Sequence, residues 1–213
     1  MIREELLKIA KPILFNTEMV RAILDERKTV TRRLVRKYDI EAILNSPFHK
    51  EHPEVSDIQI INKLCMPPYQ QGDILYVRET WCRRYDGEKF FYKADKNTTR
   101  EEKTLLDYVH VSWKPSIHMP KEAARIFLKV KDVRVERLQD ICGRGTPQDH
   151  VTNIAREGVQ LQAVMENYQK QIDDFKQLWN STINKSDLAL YGWDADPYVW
   201  VIEFERIKPD TEV

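Results

Sequence analysis

Between Arg125 and Leu138 the apolar positions change phase. Ile126, Leu128 and Val130 fall on one parity, and Val133 and Val135 fall on the other. A strand sends alternate side chains to opposite faces, so a run that swaps parity without losing strand character has to bend or bulge, here near Lys131 and Asp132. Bends of this kind are how small barrels close. Further runs of strand character lie at residues 12–15, 29–35, 73–79, 89–93 and 198–207, the last being Tyr198-Val-Trp-Val-Ile-Glu-Phe-Glu-Arg-Ile207. Helical spacing is shorter-lived. Asn16 offers an N-cap to Met19, Val20, Ile23 and Leu24, and that helix ends near Asp25–Glu26. Thr146-Pro147 starts a second helix, ending near Gly158, and Val164, Tyr168, Ile172, Phe175 and Trp179 mark a longer third one. The expected fold class is α+β: one curved, mostly antiparallel sheet forming a small closed or partly open β-barrel, with flanking helices and the 17–25 helix over one mouth.

The length of 213 residues suits one domain, read as 1–213, with insertions at about 38–70 and 94–113 where no apolar period is sustained and Pro47, Pro53, Pro67 and Pro68 interrupt the chain. Both insertions are expected to be irregular or peripheral. The 34 basic and 34 acidic side chains cancel, so contact with nucleic acid has to come from a local patch rather than from a cationic coat. Cys65, Cys82 and Cys142 are odd in number and share no short spacing, which speaks against a disulfide framework and against a CxxC metal knuckle. The N-terminus lacks a signal-peptide core and no apolar run approaches 18 residues, so a cytoplasmic protein that does not enter the membrane is expected. The five histidines, His49, His52, His110, His118 and His150, show no zinc spacing, and six glycines form no phosphate loop; no metal and no cofactor are expected.

The densest basic segment is Arg27, Lys28, Arg32, Arg33, Arg36 and Lys37, on the junction between the 17–25 helix and the 29–35 strand. On the strand, Val30 and Leu34 share the face expected to point inward, and Thr31 and Arg33 share the other. Such a patch suits phosphates, and Arg33 has the fork geometry for a base edge or a carboxylate. The plain alternative is a solvated strand face balanced by nearby acids. Arg78 and Glu79 follow the Gly72-Asp73 turn and are candidates for the same cleft. Tyr76, Trp81, Trp113 and Trp193 are able to stack a base, although aromatics in a barrel more often fill the core.

Arg27-Lys28-Thr29-Val30-Thr31-Arg32-Arg33 resembles the Gly-x-Lys-x-x-x-x-Arg signature of the ASCH family of the PUA-like superfamily, with Lys28 and Arg33 on its lysine and arginine. Gln71-Gly72-Asp73-Ile74-Leu75-Tyr76-Val77 is similar to the family's Pro-Gly-Asp-x-Leu strand, and Tyr198–Ile207 to its closing strand. Glu79-Thr80-Trp81 is similar to the larger, phage and prophage branch. One departure is plain: the signature's glycine is Glu26 here. The resemblance implies a PUA-like barrel whose cleft binds RNA, a nucleotide or a modified nucleoside, with Lys28 and Arg33 as ligand-binding residues; Arg32 from the basic segment, and Arg78 and Trp81 from the strand after the turn, join them as ligand-binding candidates. More distantly, the chain resembles a bacterial acetylcytidine amidohydrolase that uses a lysine, a threonine and a glutamate. That likeness implies Lys28, Thr31 and Glu157 as catalytic residues. A threonine hydroxyl becomes a nucleophile when a base takes its proton, and a lysine serves if burial or a neighbouring cation such as Arg33 lowers its pKa. The expected function is thus binding of RNA or of a nucleoside or nucleotide ligand. The alternatives are deacylation of the exocyclic amine of cytidine derivatives, and a phage accessory role with a protein partner held by the insertions.

Overall fold

The structure is a computed structural model and describes residues 2–83, 89–95, 112–143, 154, 156, 157 and 168–208. It is α+β. Five strands form a mixed, mostly antiparallel sheet in the order β1 (Lys11–Leu14), β3 (Ile74–Arg78), β6 (Phe127–Arg137), β7 (Tyr198–Ile207) and β2 (Val30–Leu34). β1 runs parallel to β3, β3 antiparallel to β6, and β2 antiparallel to β7. β4 (Trp81–Arg83) and β5 (Phe90–Tyr92) pair as a separate two-stranded sheet. The expectation of a closed barrel is therefore corrected. Among the described residues the five-stranded sheet has two ends, β1 and β2, and the run at 89–93 that was to extend it is a three-residue strand paired only with β4. No helix among the described residues is long and apolar enough to cross a membrane.

The chain divides into two compact units. One comprises residues 1–27, 72–129 and 205–213, and the other comprises 28–71 and 130–204. In the first, α1 (Arg3–Ile9) buries Leu6 with Ala10, Tyr76, Trp81, Met119, Ala123, Ala124 and Phe127. α2 (Thr17–Leu24) begins where expected, the Asn16 side chain accepting the Met19 N–H at 2.9 Å. It ends in a paired turn: the Glu26 N–H donates to Ile23 O and the Arg27 N–H to Ala22 O, with Glu26 at φ 59°. The Gln71-Gly72-Asp73 turn places Gly72 at φ 88°, where a side chain is strained, and launches β3.

In the second unit, Val30, Leu138, Ile141, Ile154, Phe175, Trp179, Trp193, Val199 and Val201 form the core, covered by α6 (Tyr168–Ser181). The 38–70 insertion, for which an irregular or peripheral course is expected, is not irregular. It folds into α3 (Lys37–Leu44), α4 (Pro47–Glu51) and α5 (Asp57–Leu64), with Ile60 and Ile61 fully buried. Ser46 caps α4 with Pro47 at its first turn, and Ser56 with Gln59 makes a capping box on α5, so Pro47, which reads as a breaker, is part of a start. Most of the 94–113 insertion and the helix start at Thr146-Pro147 lie outside the described residues. β6 carries the phase change: Lys131 and Asp132 are exposed in succession between buried Val130 and buried Val135.

Candidate functional site

The second unit holds the basic motif, and the register of β2 decides how its side chains are shared out. Val30 faces Glu203, Arg32 faces Val201 and Leu34 faces Val199, so these six side chains lie on one face of the strand pair. Thr31 faces Ile202 and Arg33 faces Trp200 on the opposite face. Val30, Val199 and Val201 are core and Leu34 packs against them, so Arg32 sits among apolar neighbours on that face.

Lys28 precedes the strand, and its side chain is buried there. Its Nζ donates to Val30 O at 2.7 Å, to Glu157 O at 2.8 Å and to Glu157 Oε2 at 3.0 Å. The Glu157 turn is held against the chain ahead of β2 by its neighbours: the Thr29 N–H donates to Arg156 O at 3.0 Å, and Glu157 N–H to Ile154 O at 3.1 Å. Arg32 Nη1 donates to the second carboxylate oxygen of Glu157, and its Nη2 lies 3.5 Å from Glu136 Oε2. From Glu136 the alternation of charge continues. Arg134 bonds Glu136 at 2.6 Å, Asp132 at 2.9 Å and Glu203 at 2.6 Å, and Arg156 bonds Glu203 at 2.9 Å. Ion pairs thus run from Lys28 through Glu157, Arg32, Glu136, Arg134 and Glu203 to Arg156, the residue next to Glu157.

Burial pushes the Lys28 amine below the usual lysine value, with the Arg33 and Arg32 cations adding to that and the Glu157 carboxylate opposing it. Arg33 is also held below the usual arginine value by burial, while Tyr69 and Glu157 act the other way. Its Nη1 donates to Thr31 Oγ1 at 3.0 Å and to Arg32 O at 3.1 Å. Thr31 is 1% exposed, and its hydroxyl is therefore a buried group held by a cation.

Of the residues assigned to catalysis by resemblance, the structure brings Lys28 and Glu157 into direct contact. It leaves Thr31 on the other face, with its hydroxyl bonded to Arg33. Of the residues assigned to ligand binding, Arg33 bonds Thr31 on one face of β2, while Arg32 and Lys28 meet on Glu157 at the other; Arg78 and Trp81 belong to the other unit. There Arg78 donates to Met119 O at 3.1 Å and to Ile117 O, tying down the turn at Ser116–His118. Trp81 is part of that unit's core, 5% exposed, with the Lys114 ammonium 5.1 Å from its ring centroid. Glu79 is buried too. Arg125 holds it with two bonds, at 2.8 and 3.0 Å, and also reaches Asp95 at 2.7 Å. Burial raises the Glu79 carboxyl above its usual value against the pull of Arg125.

Sequence reasoning missed Glu136, Arg134, Glu203 and Arg156. Their signal was present in Asp132, Arg134 and Glu136, which alternate in sign at two-residue spacing on one strand face, with Glu203 on a strand of the same sheet. The departure at Glu26 also finds its meaning. A left-handed residue closes α2 at the signature's glycine position, and the Glu26 carboxylate is exposed, 3.6 Å from Lys208, while Lys28 takes its carboxylate from Glu157. Compared with protein-family models, with curated proteins and with solved structures, the chain matches none.

Proposed function

We propose that this chain binds a nucleoside, a nucleotide or RNA through Lys28, Thr31 and Arg33, on a sheet of PUA-like descent. The observation that carries the reading is the gathering of three cations, Lys28, Arg32 and Arg33, with a buried threonine hydroxyl at the start of a single strand. Glu157 is the buried carboxylate they share. Three cations against one shared carboxylate leave an excess of positive charge in a partly desolvated place, which favours an anionic or polar ligand, and the Arg33 fork suits a phosphate or a base edge. The kinship rests on the motif around Lys28 and Arg33, the Gly72-Asp73 turn and the closing strand.

A second reading, deacylation of the exocyclic amine of an acylated cytidine, is favoured by one specific contact. Lys28 meets Glu157 at 3.0 Å while burial lowers the lysine pKa, which is the pairing that a general base and its orienting acid require. In this reading deprotonated Lys28 takes the Thr31 proton through a bridging water as Oγ1 attacks the acyl carbon, the proton passes to the departing amine of cytidine, and water then releases the acid from threonine. The Arg33 guanidinium beside Oγ1 stabilises the hydroxyl as it loses its proton.

One titration series tests both. Cytidine, acetylated cytidine, cytidine monophosphate and short RNAs are titrated into the protein and into Arg33→Ala. The proposal expects at least one ligand to bind and the substitution to cost about 1–3 kcal/mol of affinity, the scale of a charge-assisted bidentate contact. An unbound panel, or equal affinity in both proteins, contradicts it. For the second reading, Thr31→Ala keeps the affinity and loses acetate release; a wild type that releases no acetate rules that reading out.

A further inference from the structure

Glu157 is one carboxylate serving two cations, and the division is by oxygen. Oε2 goes to Lys28 at 3.0 Å and Oε1 goes to Arg32 Nη1. We propose that Arg32, which is neither the lysine nor the arginine of the ASCH-like signature, is a positioning residue of this site: by holding Oε1 of Glu157 it aims Oε2 at Lys28 and keeps half of the neutralising charge for itself. The inference rests on the reading that Lys28 is the working group, and it adds what sets the state of that group.

Three observations carry it. The first is geometric. Arg32 lies on the Val30–Leu34 face of β2, on the side where Glu157 meets Lys28, and is fixed by two carboxylates, Glu157 and Glu136, so it cannot turn away without breaking both. The second is energetic. The Arg32 side chain is only 5% exposed, and its Nε is buried with no hydrogen-bond partner among the described residues. A buried guanidinium with an unsatisfied donor is a poor stabilising device, since an apolar side chain of similar volume fills such a place at no such cost. Its presence is better explained by what it does to Glu157. The third is the balance of charge. Lys28 faces Glu157, Arg32 and Arg33, and Arg32 is balanced in turn by Glu136, which Arg134 shares with Glu203 and Asp132. Arg156 closes the set through Glu203. With Arg32 in place, Glu157 only partly neutralises Lys28. Without it, the whole carboxylate turns to the lysine and the ammonium is held more firmly. The same logic serves both functions: a less neutralised ammonium attracts an anion, and a less firmly held proton makes a better base.

The test reads the Lys28 amine with no ligand present, so it fails or succeeds separately from the affinity series above. Protein carrying ¹³C-labelled lysine is titrated by NMR, with the Lys28 Cε signal assigned by its loss in Lys28→Met. Arg32→Gln is expected to move the Lys28 midpoint up. Arg32→Lys keeps a cation in place and is expected to leave it near the wild-type position. Glu136→Gln frees Arg32 to hold Glu157 more tightly and is expected to move the midpoint down, at a half-buried position that does not threaten the fold should Arg32→Gln do so. An unchanged midpoint in Arg32→Gln, a rise in Arg32→Lys equal to that in Arg32→Gln, or an upward or absent shift in Glu136→Gln overturns the proposal. Binding lost in Arg33→Ala alongside unmoved midpoints would leave the site standing and remove Arg32 from it.

Discussion

Glu26 shows how a single backbone angle explains a motif position. Its φ of 59° is the left-handed conformation that ends α2, and β-carbon crowding there costs a non-glycine residue about 1–2 kcal/mol. Its side chain gains little in return, because the Lys208 contact at 3.6 Å joins two exposed groups of the kind worth about 0–1 kcal/mol. Glu26→Gly is therefore expected to stabilise the protein by about 1 kcal/mol even after the entropy that glycine adds to the unfolded chain, as read by chemical denaturation; a loss of stability would show that the strain is not there. The sequence marks this position only as a departure from a signature. The backbone shows what the position does in this chain: it closes the helix ahead of Lys28. Other residues were less legible. Glu157 was reachable only through a distant likeness, because it meets Lys28 across 129 positions of chain. Arg32 read as one basic residue among several until the strand register put it on the Val30 face.

At the scale of elements, the ion pairs act as a clasp that draws β6, β7, β2 and the Glu157 turn together. Glu157 is the member whose loss leaves most behind, for Lys28 and Arg32 are both buried and both depend on it. Breaking a buried pair by removing one partner costs about 3–5 kcal/mol, so Glu157→Gln is expected to destabilise by that amount. Lys28→Met is expected to cost clearly less, since Glu157 keeps Arg32. Denaturation curves of the two variants check the order, and equal losses would mean that the carboxylate is not shared as described. Strand positions were largely readable, because alternation and β-branching are local signals: β7 spans Tyr198–Ile207 as expected and β2 lies within residues 29–35. The helices between Lys37 and Leu64 were not. The prolines there read as interruptions, whereas Pro47 sits at a helix start, where a missing N–H does no harm, and Ser46 and Ser56 are caps whose hydroxyls have a donor to accept.

For the whole molecule, what the sequence could not supply was strand order. Closure into a barrel depends on which edges meet, and that is decided by pairings distant in the chain, such as parallel β1–β3 and antiparallel β2–β7. A local phase change in β6 announces a sheet that shifts its buried face, which it does, but it does not announce closure. The function proposed here depends less on closure than on one place in the second unit, where a strand start gathers cations around a carboxylate. Hydrogen exchange followed by mass spectrometry, with and without the tightest ligand of the cytidine and RNA panel, tests that most directly. Slowed exchange concentrated in peptides carrying Lys28–Leu34 and Glu157 is the predicted result; a ligand that binds yet protects only other segments would contradict the site, and with it the central claim.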